Sequence, residues 1–513
     1  MLFNSYEFIF GYLPVTLAGF FLLARSSHRL AALWLAAASL FFYGWWNPVF
    51  VLLVMASIAV NYAFGYAIGH ARLRSTQKAK MVLTVAVVTN LSWLAYFKYA
   101  NFFIANLSQL MGAELTMVNV VLPLGISFFT FTQIAFLVDV YRGIAREYNF
   151  IHYVLFVTYF PHLIAGPVLH HKQMMPQFGH AGTYRINLES INIGLTIFTI
   201  GLAKKVLLAD QFALYANPVF DVVAQGGEPK LIESWIGALA YTLQLYFDFS
   251  GYSDMAIGLS RMFNVKLPLN FDSPYKAQNI IEFWRRWHMT LSTFLRDYLY
   301  VPLGGSRKGG PRRYANLMAT MLLGGLWHGA GWTFVLWGGL HGMYLVINHG
   351  WRRLIGDEGT SSGWRAVTGV GLTFIVVVIA WVPFRATDLD VALRMWAGMF
   401  GGNGVSLPLG LEPTLSSWLA SSVTFEGMAP LSSLNALEII LALPFGMAVI
   451  WLLPNTQQFV AGLQMTDTKI EHSTLSWIKI HKCAVCLGAV TGLVFSIALG
   501  FFNKYSPFLY FQF

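Results

Sequence analysis

His328 sits in the run Trp327-His-Gly-Ala-Gly-Trp332, inside a stretch from Tyr314 to Val346 that is almost wholly apolar. An imidazole, with a reference pKa near 6.5, takes and returns a proton at neutral pH. A titratable ring at a glycine-rich bend between two tryptophans is therefore a candidate general base. Other polar residues that intrude on apolar sequence crowd between Tyr241 and His341. Tyr246-Phe-Asp-Phe-Ser-Gly-Tyr-Ser-Asp254 carries Asp248 and Asp254. In Phe283-Trp-Arg-Arg-Trp-His-Met-Thr-Leu-Ser-Thr-Phe-Leu-Arg-Asp-Tyr-Leu-Tyr300, a turn of about 100° per residue puts Arg285, His288, Ser292 and Arg296 on one face. Trp284, Trp287, Leu291, Phe294, Leu295 and Tyr298 share the other, which predicts one amphipathic helix at an interface or lining a cavity.

A charge at the centre of a membrane span costs about 2.5–3.5 kcal/mol, so each of these residues needs a reason. The structural reason for Asp248 and Asp254 is buried pairing with Arg285, Arg286 or Arg296, which is the commoner fate of such carboxylates. His152, His162, His341 and His349 are expected to be hydrogen-bonded packing residues. Arg307-Lys308 and Arg312-Arg313, bounded by glycine pairs, suit a lipid-facing loop. They also suit the phosphates of a coenzyme, although no Gly-x4-Gly-Lys-Ser/Thr pattern is present. His-x4-Asp, Gly-x-Ser-x-Gly and His-Glu-x-x-His are all absent, and no Gly-x-Gly-x-x-Gly follows a strand pattern. His170-His171 has no carboxylate or cysteine beside it, so no metal site is expected.

The elements that position these groups are membrane helices. Only 11% of the 513 residues are charged, against about 25% in soluble proteins. With 56% hydrophobic residues and a mean hydropathy of +0.57, this excludes a soluble enzyme, a disordered chain and a nucleic-acid-binding domain. The net charge of +10 is expected in cytoplasmic loops. Apolar runs near 5–24, 29–46, 50–69, 81–105, 119–141, 151–169, 190–208, 232–262, 364–384, 434–453 and 481–502 give roughly eleven to thirteen spanning or re-entrant pieces. The run 314–346 would be about 50 Å long as one helix, too long for one crossing, so it must break near His328. Met1–Tyr6 carries no positive charge and no Ala-x-Ala site follows, so the first run is expected to be a retained span with its N-terminus outside. Basic clusters at Arg25/Arg29, Arg72–Lys80 and Arg142/Arg146 alternate with poorly charged turns, which fits a positive-inside path for the first five spans. Cys483 and Cys486 lie within an apolar run and read as small packing residues. The segment 402–433 reads as an extramembrane loop.

Several of these motifs, in order, resemble signatures of the membrane-bound O-acyltransferase family, most nearly the bacterial branch that O-acetylates alginate. They are Phe283-Trp-Arg-Arg-Trp-His288, Asp297-Tyr-Leu-Tyr-Val-Pro-Leu-Gly-Gly305 and Leu326-Trp-His-Gly-Ala-Gly-Trp332. Tyr246–Asp254 and Phe160-Pro-His-Leu-Ile-Ala-Gly-Pro167 fit the same branch. The likeness covers nearly the whole chain and is densest over about 120–350. It implies an all-α polytopic fold around a central tunnel or funnel, a single domain over 1–513, and a place in the bacterial inner membrane. It also implies acetyl transfer from a cytosolic thioester, acetyl-CoA or an acyl-carrier protein, to an exported polysaccharide. Alginate comes first, with cellulose and peptidoglycan as alternatives. The donor would be a substrate, with no permanently bound cofactor.

By the same resemblance the family's characteristic histidine falls on His328 and a second polar catalytic position on His288. His328 would be the general base, with His288 orienting the acceptor or stabilising the oxyanion, and the two roles are open to exchange. Asp248, Asp254, Arg285 and Arg296 would form a supporting polar network. The run Ser506-Pro-Phe-Leu-Tyr-Phe-Gln-Phe513 suits an aromatic interfacial anchor. Its Phe508-x-Tyr510-x-x-Phe513 also resembles a terminal motif of polymer-acylating relatives, in which Tyr510 would carry the acyl group. Partners implied are membrane lipids and periplasmic acetyltransferase proteins, and no nucleic acid. A transporter or flippase is the alternative of a different class, but transporters commonly show paired broken helices in repeated halves, and here the broken region occurs once. A scaffold for a secretion complex is the third.

Overall fold

The computed structural model describes residues 1–145, 149–164, 166–356, 362–407, 423–424, 436–463, 484–502 and 506–509. Helices dominate it, because long apolar runs without water must satisfy their backbone groups internally. Among the described residues five helices are long and apolar enough to cross a membrane: Glu7–Ala24, Val49–Arg74, Thr76–Met111, Leu188–Ala224 and Trp364–Arg385. The axis of the body is the helix Leu231–Met262, buried without interruption from Ala240 to Ser260. A helix buried on every side belongs at the centre of a bundle. It packs against Leu188–Ala203 and Asp210–Ala224 on one side and Trp364–Arg385 on another.

Two hydrophobic clusters make up the interior. One is built largely from the first 206 residues with Tyr252–Leu267, Leu291–Leu295 and Trp327. The other gathers Ala209–Phe249, Phe271–Trp287 and the helices from Met321 to Met399. The seam between them falls between Phe249 and Tyr252 and between Trp287 and Leu291 along the chain, with Trp327 on one side and Trp337 on the other. His288, His328 and Asp248 fall near this seam.

Several expectations are corrected. The run 151–169 is no span: its helix, Phe150–Thr158, has nine residues. Pro161 disfavours helical backbone before it, and the irregular chain that follows is buried in protein, where non-helical backbone is tolerated. The run 119–141 becomes helical only at Ile126, after Gly125 takes a positive φ of 71°. The predicted single amphipathic helix over 283–300 is three pieces, Ile280–Arg286, Met289–Leu295 and a π-helical turn Arg296–Tyr300. The first break comes at His288, whose left-handed backbone (φ 42°, ψ 53°) turns the chain inward. In the segment 402–433, Val405–Ser406 pairs in parallel with Val423–Thr424; residues 408–422 and 425–433 lie outside the described residues. So do Cys483 and the side chain of Cys486. The break near His328 is where the length argument requires it, between helices Gly310–His328 and Trp332–Ile355.

Candidate active site

His328 is the last residue of its helix, and the chain leaves through Gly329 and Gly331 in extended conformations. The two arms of this hairpin are pressed backbone to backbone. A Cβ on Gly325 would collide with the carbonyl oxygen of Phe334, and one on Gly338 with that of Met321. Small residues here let the arms close and fix the direction in which His328 points.

The end of a helix leaves carbonyls without intrahelical partners. Here they are claimed by a helix some 230 residues earlier in the chain. Tyr99 donates its hydroxyl proton to the Leu326 carbonyl (2.8 Å). Lys98 Nζ donates to the carbonyls of Trp327 (2.6 Å) and His328 (3.0 Å), and to Ser127 Oγ (3.2 Å). Lys98 lies in a π-helical turn, Ala95–Tyr99, within the span Thr76–Met111. A cation there also complements the negative end of the helix dipole. Sequence reasoning missed Lys98, although a lone lysine inside the apolar run 81–105 was the available signal. Lys98→Met should lower acyl transfer about 10²-fold, the cost of a misplacement near 1 Å. Initial rates on protein that elutes from a sizing column like wild type check this.

His288 caps the helix Met289–Leu295 and is completely buried. Its left-handed backbone costs on the order of 1–3 kcal/mol and is over-determined by Asn270. The Met289 N–H donates to the Asn270 carbonyl (2.9 Å). Val168 N–H donates to Thr290 Oγ1 (3.0 Å), and that hydroxyl gives its proton to Asn270 Oδ1 (2.9 Å). Asn270 Oδ1 is thus an acceptor, and the His288 Nδ1 that approaches it at 3.0 Å is the donor. The lone pair of His288 is left on Nε2, which meets no hydrogen-bond partner among the described residues. Asn270 also escaped the sequence reading, since an asparagine outside any motif carries no signal.

The two imidazoles face each other with ring centroids 6.5 Å apart and planes at 63°. Trp327, Trp337 and Phe384 stand edge-on around His328 at 4.9, 5.0 and 5.1 Å. Beside His328 lies a cavity of about 20 Å³, room for roughly one water-sized group, lined also by Asp248, Phe249, Trp287, Trp381 and Leu509. The structure therefore brings together His328, His288 and Asp248.

The remaining predicted residues stand elsewhere. Asp248 and Asp254 do form buried pairs, but their partners are lysines rather than the arginines expected. Lys205 Nζ meets Asp248 Oδ1 at 2.8 Å and Lys204 Nζ meets Asp254 Oδ2 at 2.7 Å. Both lysines lie on a π-helical turn, Lys204–Ala209, facing the central helix. Asp254 also accepts from Thr456 Oγ1 (2.6 Å), away from the histidines. Arg286 pairs with Glu282 and Arg296 with Asp297. Arg285 and Arg296 are exposed, because the break at His288 separates their face from the buried one. Arg285 lines two adjoining cavities of about 570 and 490 Å³ that also share Arg313 and His349, and Arg296 lines the smaller. The larger adds Arg352, Arg353 and Ser306; the smaller runs inward past Trp284, Met289 and Met321. No carboxylate lines either cavity among the described residues. His349 is held by Arg313 (2.9 Å) as a packing residue would be. His341 packs among Phe283, Trp284, Trp337 and Tyr344, but neither ring nitrogen meets a hydrogen-bond partner among the described residues, contrary to expectation. Tyr510 lies outside the described residues.

A multi-helix membrane body with paired imidazoles at an interior seam is the frame of an intramembrane transferase. The model of the membrane-bound O-acyltransferase family matches residues 29–382, and the chain belongs to that family. It is a multi-pass membrane O-acyltransferase. It is 40% identical to a probable alginate O-acetylase of Pseudomonas putida over the full length of both chains. It is 45% identical to a probable alginate O-acetylase of Pseudomonas aeruginosa, over 78% of this chain and 75% of that one. A peptidoglycan O-acetyltransferase of Helicobacter pylori is 42% identical over 79% of this chain and 81% of that one.

Proposed function

We propose that this protein takes acetyl from a cytosolic thioester and passes it across the bacterial inner membrane for O-acetylation of exported alginate. The observation that carries this reading is the pair His288 and His328, ring centroids 6.5 Å apart, with His328 on a small cavity that the chain's own tail also lines through Leu509. The chemistry needs a hydroxyl oxygen to attack the thioester carbonyl carbon. The carbon–sulfur bond then breaks, and the hydroxyl proton ends on the departing thiolate. A hydroxyl has one proton, so only one imidazole takes it. His288, with its lone pair held on Nε2 by Asn270, suits the general base. His328 then serves as N–H donor to the developing oxyanion. This is the exchange of roles that the sequence left open.

Tyr510 follows directly on Leu509 and is the acceptor hydroxyl in this reading, handing acetyl on to periplasmic acetyltransferase proteins that finish the reaction. The donor reading rests on the arginine-lined cavities, whose charge suits the phosphates of acetyl-CoA or of an acyl-carrier arm. Reversing one of these charges, Arg313→Glu, should raise the donor KM by about tenfold or more while leaving kcat within a few-fold. Steady-state kinetics over a range of donor concentrations reads this. Alginate is preferred because the Pseudomonas putida relative aligns from end to end. The Helicobacter pylori relative favours peptidoglycan as the second reading. Expression in an alginate-producing host deleted for its own membrane acetylase decides between them. Base-labile acetyl restored to alginate supports the first, and acetyl found only on peptidoglycan supports the second.

The catalytic reading is tested by incubating the purified protein with acetyl-labelled CoA and acetyl-labelled carrier protein, following thioester loss and mapping label by peptide mass spectrometry. Thioester loss that disappears in His328→Ala and His288→Ala supports it. Full turnover in both variants overturns it.

A further inference from the structure

The buried pair Lys205–Asp248 has more to do than join two helices. Each side chain is about 3% exposed. Burying an ion pair returns little stability unless its remaining protons and lone pairs are also satisfied. Here the segment Ser506–Leu509 satisfies them, mostly through its main chain. Asp248 gives one oxygen to Lys205 and with the other accepts the Leu509 N–H at 2.9 Å. Lys205 Nζ reaches the Pro507 carbonyl at 3.3 Å and Ser506 Oγ at 3.0 Å, and is itself held by Asp210 Oδ1 at 2.8 Å. Ser506 in turn donates its hydroxyl proton to Asp210 Oδ1 at 2.7 Å.

Side chains complete the fit. Phe508 lies under Lys205 Nζ, 5.0 Å from the ring centroid, and edge-on to Tyr252 at 4.7 Å. Phe508 belongs to one hydrophobic cluster and Leu509 to the other, so the segment lies across the seam. The second pair between the same helices, Lys204–Asp254, has none of these contacts among the described residues: its carboxylate is taken up by Thr456 and Gln457.

We infer that Lys205, Asp248 and Asp210 form a peptide dock whose ligand is this chain's own segment 506–509. The dock grips a main-chain N–H and C=O with charged groups and reads sequence through Phe508 and Leu509. It fixes the register of the tail against the His328 cavity. The docking is independent of whether Tyr510 carries acetyl.

The test is hydrogen exchange of the C-terminal peptides, read by mass spectrometry on the full-length protein in detergent. Leu509→Pro removes the gripped N–H from the tail without touching the helices, and Asp248→Asn removes the charge that grips it. Each should speed exchange of the segment's remaining amides about tenfold, as expected for loss of a charge-assisted hydrogen bond. Asp254→Asn breaks the sister pair and should leave tail exchange unchanged. A merely structural role for these pairs predicts that Asp248→Asn and Asp254→Asn act alike, and that result would overturn the dock. So would wild-type tail amides that exchange as fast as an unstructured peptide, or no change in Leu509→Pro. Failure of the acetyl relay reads differently, as a Tyr510→Phe protein with normal polymer acetylation, and leaves these exchange rates untouched.

Discussion

His288→Ala should lower acetyl transfer by about 10²–10⁴-fold at neutral pH, the usual worth of a positioned general base. The same variant should recover as the medium becomes alkaline. Without a base in the site, the attacking hydroxyl must ionise alone. For a phenol with a pKa near 10, the ionised fraction rises about tenfold per pH unit below that value. His328→Ala should lose activity on a similar scale through the missing oxyanion donor, since removing one such donor costs roughly 10²–10³-fold. It should show no alkaline recovery, because its base is intact. Thioester consumption by the three proteins between pH 7 and 9.5 separates the roles. Recovery in His328→Ala and not in His288→Ala would assign the base to His328.

Tyr510→Phe should reduce polymer acetylation in cells to the background of a strain lacking the protein. It keeps the ring and removes the hydroxyl that attacks in the proposed relay. In the purified system, acetyl label should appear on the C-terminal peptide of wild type and be absent from the variant. Thioester loss should fall with it by at least about 10²-fold, since only adventitious water remains as acceptor. Polymer acetylated normally by Tyr510→Phe would end the relay reading.

Much of the frame was legible in the sequence. Apolar run lengths against bilayer thickness predict the spans, and the same arithmetic requires the break beside His328. What escaped is where chain geometry overrides periodicity. The register of 283–300 reads as one helix, and nothing in that window announces that Asn270, eighteen residues before His288, captures its ring and the N–H of Met289. The pairing of Asp248 and Asp254 is predictable from the cost of burying charge, but the choice of lysine over arginine is not. Lys204 and Lys205 reach these carboxylates from a π-helical turn, a local widening with no residue code of its own. Lys98 and Tyr99 escaped for a related reason: the partners through which they hold the histidine hairpin are backbone carbonyls, which leave no trace in side-chain patterns.

The bond from Lys98 to the His328 carbonyl spans 230 positions of sequence. At a synthesis rate of about 5–20 residues per second, the ribosome needs roughly 10–50 s to deliver the second partner after the first. Through that interval the apolar helix Thr76–Met111 carries a lysine whose two carbonyl acceptors do not yet exist, and an unmatched charge in such a span is costly. Assembly of the active site is therefore also a problem of timing. The span must be kept wet, tilted or sheltered by the insertion machinery until the histidine hairpin arrives. Pulse-labelling with an amine-reactive probe should find Lys98 accessible for that interval and closed afterwards, so that the moment of closure marks the docking of the histidine hairpin.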